Sequence, residues 1–192
     1  MNQPQDDQAA IEAGRVLFAQ GAQFFHAAQT RASLPPAEGA EIALAGRSNV
    51  GKSSLINAIT GMRALARVSV TPGRTRQLNF FAVGNRGLVL VDMPGVRGRP
   101  NLRRVFLLLD ARVEDKPADH AVMDLLDKAA MAFQLVLTKS DKLKPDALAR
   151  KRAEVQALAR KHPAALHDVI VTSSETGAGM DELRAVLAAL AA

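Results

Sequence analysis

Eight residues, Gly46-Arg47-Ser48-Asn49-Val50-Gly51-Lys52-Ser53, restrict this chain more than any other stretch, because they fit the pattern G-x-x-x-x-G-K-[ST] in full. Glycines let successive backbone N–H groups curl around anionic oxygens, and a helix that follows aims its positive end at them. Lys52 is placed to neutralise outer phosphates, and the Ser53 hydroxyl to ligate a divalent cation. The pattern needs a strand before it and a helix after it. Residues 41–45 are a short apolar run ending at glycine, and Leu55, Ile56 and Ile59 follow at helical spacing before Gly61. Strand, loop and helix are therefore expected in that order.

The rest of the chain repeats the alternation. Leu78–Val83 and Leu88–Asp92 flank Gly84-Asn85-Arg86-Gly87, a hairpin signal. Short apolar runs at 105–109, 133–137 and 169–171 alternate with helical patterns at 120–132, 145–161 and 180–191. The expected fold is α/β in three layers, a mostly parallel sheet with one antiparallel hairpin strand and helices on both faces. One compact domain is expected over 23–192, preceded by a flexible segment over 1–22, with an apolar cluster (Val16, Leu17, Phe18, Phe24, Phe25) marking a short packed element after the flexible start.

Composition excludes several chemistries. The chain has 192 residues and no cysteine, which rules out disulfides, thiolate zinc sites and cysteine nucleophiles. None of its four histidines is spaced i, i+4, so a histidine-built metal site is a poor candidate. No apolar run reaches membrane-spanning length, and the acidic, polar start does not read as a signal peptide, so no membrane partner and a cytoplasmic location are expected. Charge is uneven: residues 46–104 hold eleven Lys/Arg and one acid, Asp92, whereas the remainder holds 14 basic and 18 acidic residues. Such a block reads as a footprint for polyanions, with a solvated surface as the alternative. With seven Phe and no Trp or Tyr, contact with RNA would rest on phosphates and shape through Arg63, Arg67, Arg74, Arg76, Arg97, Arg99, Arg103 and Arg104.

The base is read further along. Thr138-Lys139-Ser140-Asp141 directly follows an apolar run, and an aspartate there accepts hydrogen bonds from the ring N–H and exocyclic amine of guanine, donors that adenine does not present on that edge. The Lys139 stem would lie over the base; a capped helix start is the competing reading of the tetrapeptide taken alone. Thr172-Ser173-Ser174 also follows a strand, and its backbone N–H groups are candidates to read the guanine carbonyl. Asp92-Met93-Pro94-Gly95 ends another strand, where Asp92 can hold Mg2+ through water and the Gly95 N–H can meet a γ-phosphate. A turn with an N-capping aspartate is the alternative there. Thr75, within the basic stretch Thr71-Pro72-Gly73-Arg74-Thr75, offers a second hydroxyl for Mg2+.

In order and wording, G-R-S-N-V-G-K-S, T-P-G-R-T, D-M-P-G and T-K-S-D, with Asn79-Phe80-Phe81 downstream, resemble the translation-factor-related GTPases and most closely the EngB (YihA/YsxC) family. The resemblance runs from about Phe24 to the C-terminus. It implies a Ras-like GTPase that assists late assembly of the large ribosomal subunit, with the subunit precursor (rRNA and ribosomal proteins) as partner and the chain itself a monomer. It places GTP/GDP on Gly46, Arg47, Ser48, Asn49, Val50, Gly51, Lys52 and Ser53, on Gly73, Arg74, Thr75, Arg76 and Gln77, and on Asp92, Met93, Pro94 and Gly95. It also places the nucleotide on Thr138, Lys139, Ser140 and Asp141, and on Thr172, Ser173 and Ser174. Mg2+ falls on Ser53 and Thr75. K+ is a further candidate through Asn49, since related GTPases use asparagine there to help hold it; an asparagine that only braces the loop is the alternative. Rival readings are a nucleotide-dependent RNA-binding module in which hydrolysis is incidental and a small adenine-nucleotide kinase, the latter disfavoured by Asp141.

Two features set limits on what the resemblance implies. No glutamine follows D-x-x-G, where Val96 stands, so hydrolysis is expected to be slow and the catalytic group is not identified. Between Gly95 and the strand expected at Val105 the family carries a switch segment and a helix. This chain has only Val96-Arg97-Gly98-Arg99-Pro100-Asn101-Leu102-Arg103-Arg104, too short for a helical crossover. Either a switch helix is lost and apolar sheet surface is exposed, or the sequence as read lacks residues at this point; the second reading is preferred.

Overall fold

A computed structural model describes residues 3–66, 78–92 and 99–191. Among these described residues, seven strands form one sheet in the order β1-β3-β4-β2-β5-β6-β7. They are β1 (Ala22–Ala28), β2 (Ala40–Ala45), β3 (Leu78–Val83), β4 (Leu88–Asp92), β5 (Leu102–Asp110), β6 (Phe133–Thr138) and β7 (Ala165–Val171). Only β3 runs against its neighbours, pairing antiparallel with both β1 and β4; β2–β4, β2–β5, β5–β6 and β6–β7 are parallel. The hairpin strand expected from the sequence is thus β3. The helices are α1 (Gln3–Ala19), α2 (Lys52–Thr60), α3 (Pro117–Lys128), α4 (Pro145–Ala159) and α5 (Met180–Ala191).

Near-continuous burial along the central strands explains why they read as apolar runs rather than alternating ones: each parallel strand is covered on both faces. One face packs Ile42, Leu44, Leu90, Phe106 and Leu108 against Leu55 and Ile59 of α2 and Leu183 and Leu187 of α5. The other packs Ala43, Leu107, Leu109, Leu135 and Leu137 against Met123 of α3 and Val155 and Ala159 of α4.

Two expectations are corrected. Residues 1–22 contain α1, which packs along α5 and buries Phe18, where the sequence suggested a flexible segment. Gly14 makes the close crossing possible: a Cβ there would come within about 2.7 Å of the Arg184 and Ala185 backbone.

The second correction concerns the sheet face beside the short β4–β5 link. β5 begins at Leu102, earlier than expected, so only nine residues, 93–101, join two strands that lie on either side of β2. The face is nevertheless not exposed: Phe80, Val89 and Val91 are buried, with Leu34 and Phe25 packed against their cluster. Arg99 contributes as well. Its guanidinium makes a bidentate ion pair with buried Glu41, donates to the carbonyls of Pro35 (2.9 Å) and Pro36 (3.2 Å), and lies 5.6 Å from the Phe80 ring centre. Arg99 is therefore withdrawn from the expected RNA-facing block, and Arg104 is partly withdrawn, donating to Gln134 at 3.0 Å. Residues 93–98, which bear on whether a helix is lost or missing from the sequence, lie outside the described residues.

Candidate nucleotide site

The register brings the carboxyl ends of five strands together: Leu44 pairs with Asp92, Ala45 with Leu107, Asp110 with Thr138, and Leu137 with Val171. In an open α/β sheet this edge is where ligands bind. The loop after β2 and the first turn of α2 hold residues 46–53, with Gly46, Asn49 and Gly51 at φ of 148°, 63° and 110°. Gly51 is the residue before the helix, and its left-handed backbone turns the following N–H groups toward the loop's concavity. Lys52 donates from Nζ to the Gly46 carbonyl at 2.9 Å, so its ammonium lies across the loop. Burial pushes the Lys52 ammonium down and the Asp92 carboxyl up, each offset in part by the other's charge. Phosphate oxygens beside Lys52 and a cation beside Asp92 would each favour the charged form.

Two bonds tie the base-binding segment to the loop. Thr138 donates from Oγ1 to the Val50 carbonyl at 2.7 Å, and Lys139, itself at φ 58°, donates from Nζ to the Asn49 carbonyl at 2.6 Å. Asp141 accepts from Ser173 Oγ at 2.6 Å and pairs with Lys142 at 2.9 Å. The Ser173 bond first, then Lys142, holds its carboxyl below the ordinary aspartate range, so it is an ionised acceptor at neutral pH. Ser173 is itself fixed, its Oγ accepting the amides of Glu175 and Thr176.

The third loop corrects one expectation. Thr172 N–H donates to Leu137 O (2.7 Å) and Ser173 N–H to Ala178 O (3.0 Å), so these two amides are committed inside the protein. Of the three, only the Ser174 amide has no partner among the described residues. Ser173 acts instead by orienting Asp141.

The structure thus brings together residues 46–53, Asp92, 138–141 and 172–174. Gly73, Arg74, Thr75, Arg76, Gln77, Met93, Pro94 and Gly95 lie outside the described residues. Sequence reasoning missed Asp110, at the end of β5, whose carboxylate meets both Arg112 and Lys139. The signal was present: like Asp92, it is an acid directly after an apolar run. The donors suit Mg2+, a hard cation that takes oxygen ligands: Ser53 offers a hydroxyl from the first turn of α2, and Asp92 is a half-buried carboxylate whose charge is only partly offset.

A strand, a phosphate-type loop and a helix, with a lysine and a carboxylate set at neighbouring strand ends, define a P-loop nucleotide-binding protein. A family model described as "50S ribosome-binding GTPase" matches residues 41–171. The chain is 56% identical over 210 positions to the "Probable GTP-binding protein EngB" of Granulibacter bethesdensis, covering 98% of this chain and 94% of that one. It is 55% identical to the protein of the same name in Gluconobacter oxydans, covering 96% and 90%. A solved structure titled as a probable GTP-binding protein EngB superposes with a TM-score of 0.60 at 23% identity, over 79% of this chain and 98% of that one. The chain belongs to this GTPase family and, within it, to the EngB proteins. The alignment to the Granulibacter protein is longer than this chain's 192 residues, so that relative carries at least 18 residues without a counterpart here.

Proposed function

We propose that this protein binds GTP and GDP with Mg2+, hydrolyses GTP slowly, and serves as an assembly factor for the large ribosomal subunit, its nucleotide state timing contact with precursor rRNA and ribosomal proteins. The observation that carries the nucleotide reading is the junction of two loops far apart in sequence: Thr138 and Lys139 each hold a carbonyl of the 46–53 loop, and Asp141 stands beside them as an oriented acceptor. Ser53, and Asp92 through water, would hold Mg2+, which when bound neutralises charge on the phosphates; Lys52 would bind the outer phosphates, and Thr75 would add a second hydroxyl ligand. The ribosomal part of the reading is supported by the matching family model, described as a 50S ribosome-binding GTPase, and by exposed arginines such as Arg63 and Arg103. The reading places the protein in the cytoplasm as a monomer; no described helix is long and apolar enough to cross a membrane.

The ribosomal role is tested by sedimenting the purified protein with large-subunit precursors. GTP should place it with the particles and GDP should release it, and the association should weaken steeply between about 50 and 200 mM salt, because released counterions drive phosphate contacts. Association that ignores both nucleotide and salt would contradict this role. Hydrolysis has its own test. With Val96 where a water-orienting glutamine would stand, a K+ ion near Asn49 is proposed to supply positive charge to the transition state. Turnover should then be at least about tenfold faster in K+ than in Na+, and equal rates in the two salts, with and without particles, would remove the ion from the mechanism.

A further inference from the structure

Resting on the guanine-nucleotide reading, we propose that Asp110 is a positioning residue for the nucleotide: it holds the Lys139 ammonium against the 46–53 loop, so that base-binding and phosphate-binding segments form one preassembled unit. Asp110 ends β5, the strand between β2, which leads into the phosphate loop, and β6, which leads into the base-binding segment. Its side chain is only 11% exposed.

The carboxylate is locked before it meets the lysine. Oδ1 accepts the Arg112 amide (3.1 Å) and Arg112 Nε (2.9 Å), and Oδ2 accepts Arg112 Nη2 (2.8 Å). Oδ2 also accepts Lys139 Nζ at 2.9 Å, while the same ammonium reaches the Asn49 carbonyl at 2.6 Å. A lysine head is a point charge on a flexible stem, and a neutral carbonyl alone gives it a weak anchor. A fixed carboxylate beside that carbonyl turns the contact into a charge-assisted bridge. Burial alone would raise the Asp110 carboxyl, but the bonds from Arg112 and Lys139, with the charge of Lys139, outweigh it and hold the group far below the aspartate range. It is therefore ionised wherever the protein is folded near neutral pH. With the head fixed, the Lys139 stem is set in advance along the path over the base, and less ordering remains when nucleotide arrives.

The test uses the full chain and a fluorescently labelled GDP. Asp110→Asn keeps the shape and one acceptor oxygen but removes the charge. It should raise the dissociation rate about tenfold with little change in the association rate. In a Lys139→Ala background the same substitution should change the rate less than about twofold, since no ammonium remains to be placed. Arg112→Ala, which leaves the carboxylate charge beside Lys139, should change it by no more than about threefold. If Asp110→Asn does not fold, Asp110→Glu replaces it: the displaced carboxylate should raise dissociation about threefold, again only when Lys139 is present. An unchanged rate, or the same rise with and without Lys139, overturns the proposal. Failure of the wild-type protein to bind labelled GDP would overturn the guanine reading itself, a separate outcome.

Discussion

Asp141→Asn is expected to lose at least about 2 kcal/mol of GTP affinity, roughly thirtyfold, and to gain preference for the xanthine nucleotide. The reason is donor and acceptor matching. Guanine presents two donors on its recognition edge, and an ionised carboxylate offers only acceptors. Ser173 Oγ at 2.6 Å and Lys142 at 2.9 Å hold the Asp141 carboxylate in place and keep it ionised, leaving lone pairs on both oxygens for the base. An amide in the same position turns one acceptor into a donor facing a donor, which leaves polar groups unpaired; xanthine, with a carbonyl in place of the exocyclic amine, restores the match. Equilibrium titrations of the variant with labelled GTP and XTP check this. Full GTP affinity in the variant would show that Asp141 does not face the base.

Gly179→Ala should be the most damaging small substitution on the opposite side of the base pocket. Gly179 sits at φ 71° just before α5, and a Cβ there would fall inside contact distance of the Val171 carbonyl, with the Thr172 Cα 3.4 Å away. Both obstacles are backbone, so nothing flexible can yield. Left-handed strain of about 1–2 kcal/mol adds to overpacking of about 1–3 kcal/mol. At roughly 2–4 °C per kcal/mol for a chain of this size, the melting temperature should fall by on the order of 10 °C. The displaced segment is the one whose Ser173 orients Asp141, so nucleotide affinity should fall with it. Gly177→Ala is the control: its φ is 82°, but a Cβ there meets nothing within 4 Å, so only the backbone strain remains. Thermal melts of the two variants decide the matter, and equal stability would show that the close approach to Val171 is absent.

What was legible in the sequence was whatever is local. The 46–53 loop, the apolar strands around it and Asp141 after β6 are each specified within about ten neighbours, and the structure places them where that reading put them. Features set by distant partners were not legible. α1 carries an apolar cluster at Val16, Leu17 and Phe18, but its neighbours in sequence do not show the partner: it is held by α5, through Phe18 and the Gly14 crossing, more than 160 residues along the chain. β1 leaves Phe24 half exposed and shows no clean alternation, because its strand character comes from pairing with β3. Arg99 reads as one more charge in a basic block because its partner, Glu41, stands 58 residues away in sequence. Glu41 in turn was hidden inside an apolar run, where a buried acid is expected only with a partner. Asp110 stood at a strand end like Asp92 and Thr138, but nothing in its immediate neighbours announces Lys139 as its partner.

The most direct test of the guanine-nucleotide site is competition for labelled GTP on the purified chain with Mg2+ present. Unlabelled GTP and GDP should displace the label with a stoichiometry of one per chain, and ATP at about hundredfold excess should leave it bound. Displacement by ATP as effective as that by GTP, or no saturable binding at all, would contradict a guanine site built from Asp141, Lys139 and the 46–53 loop.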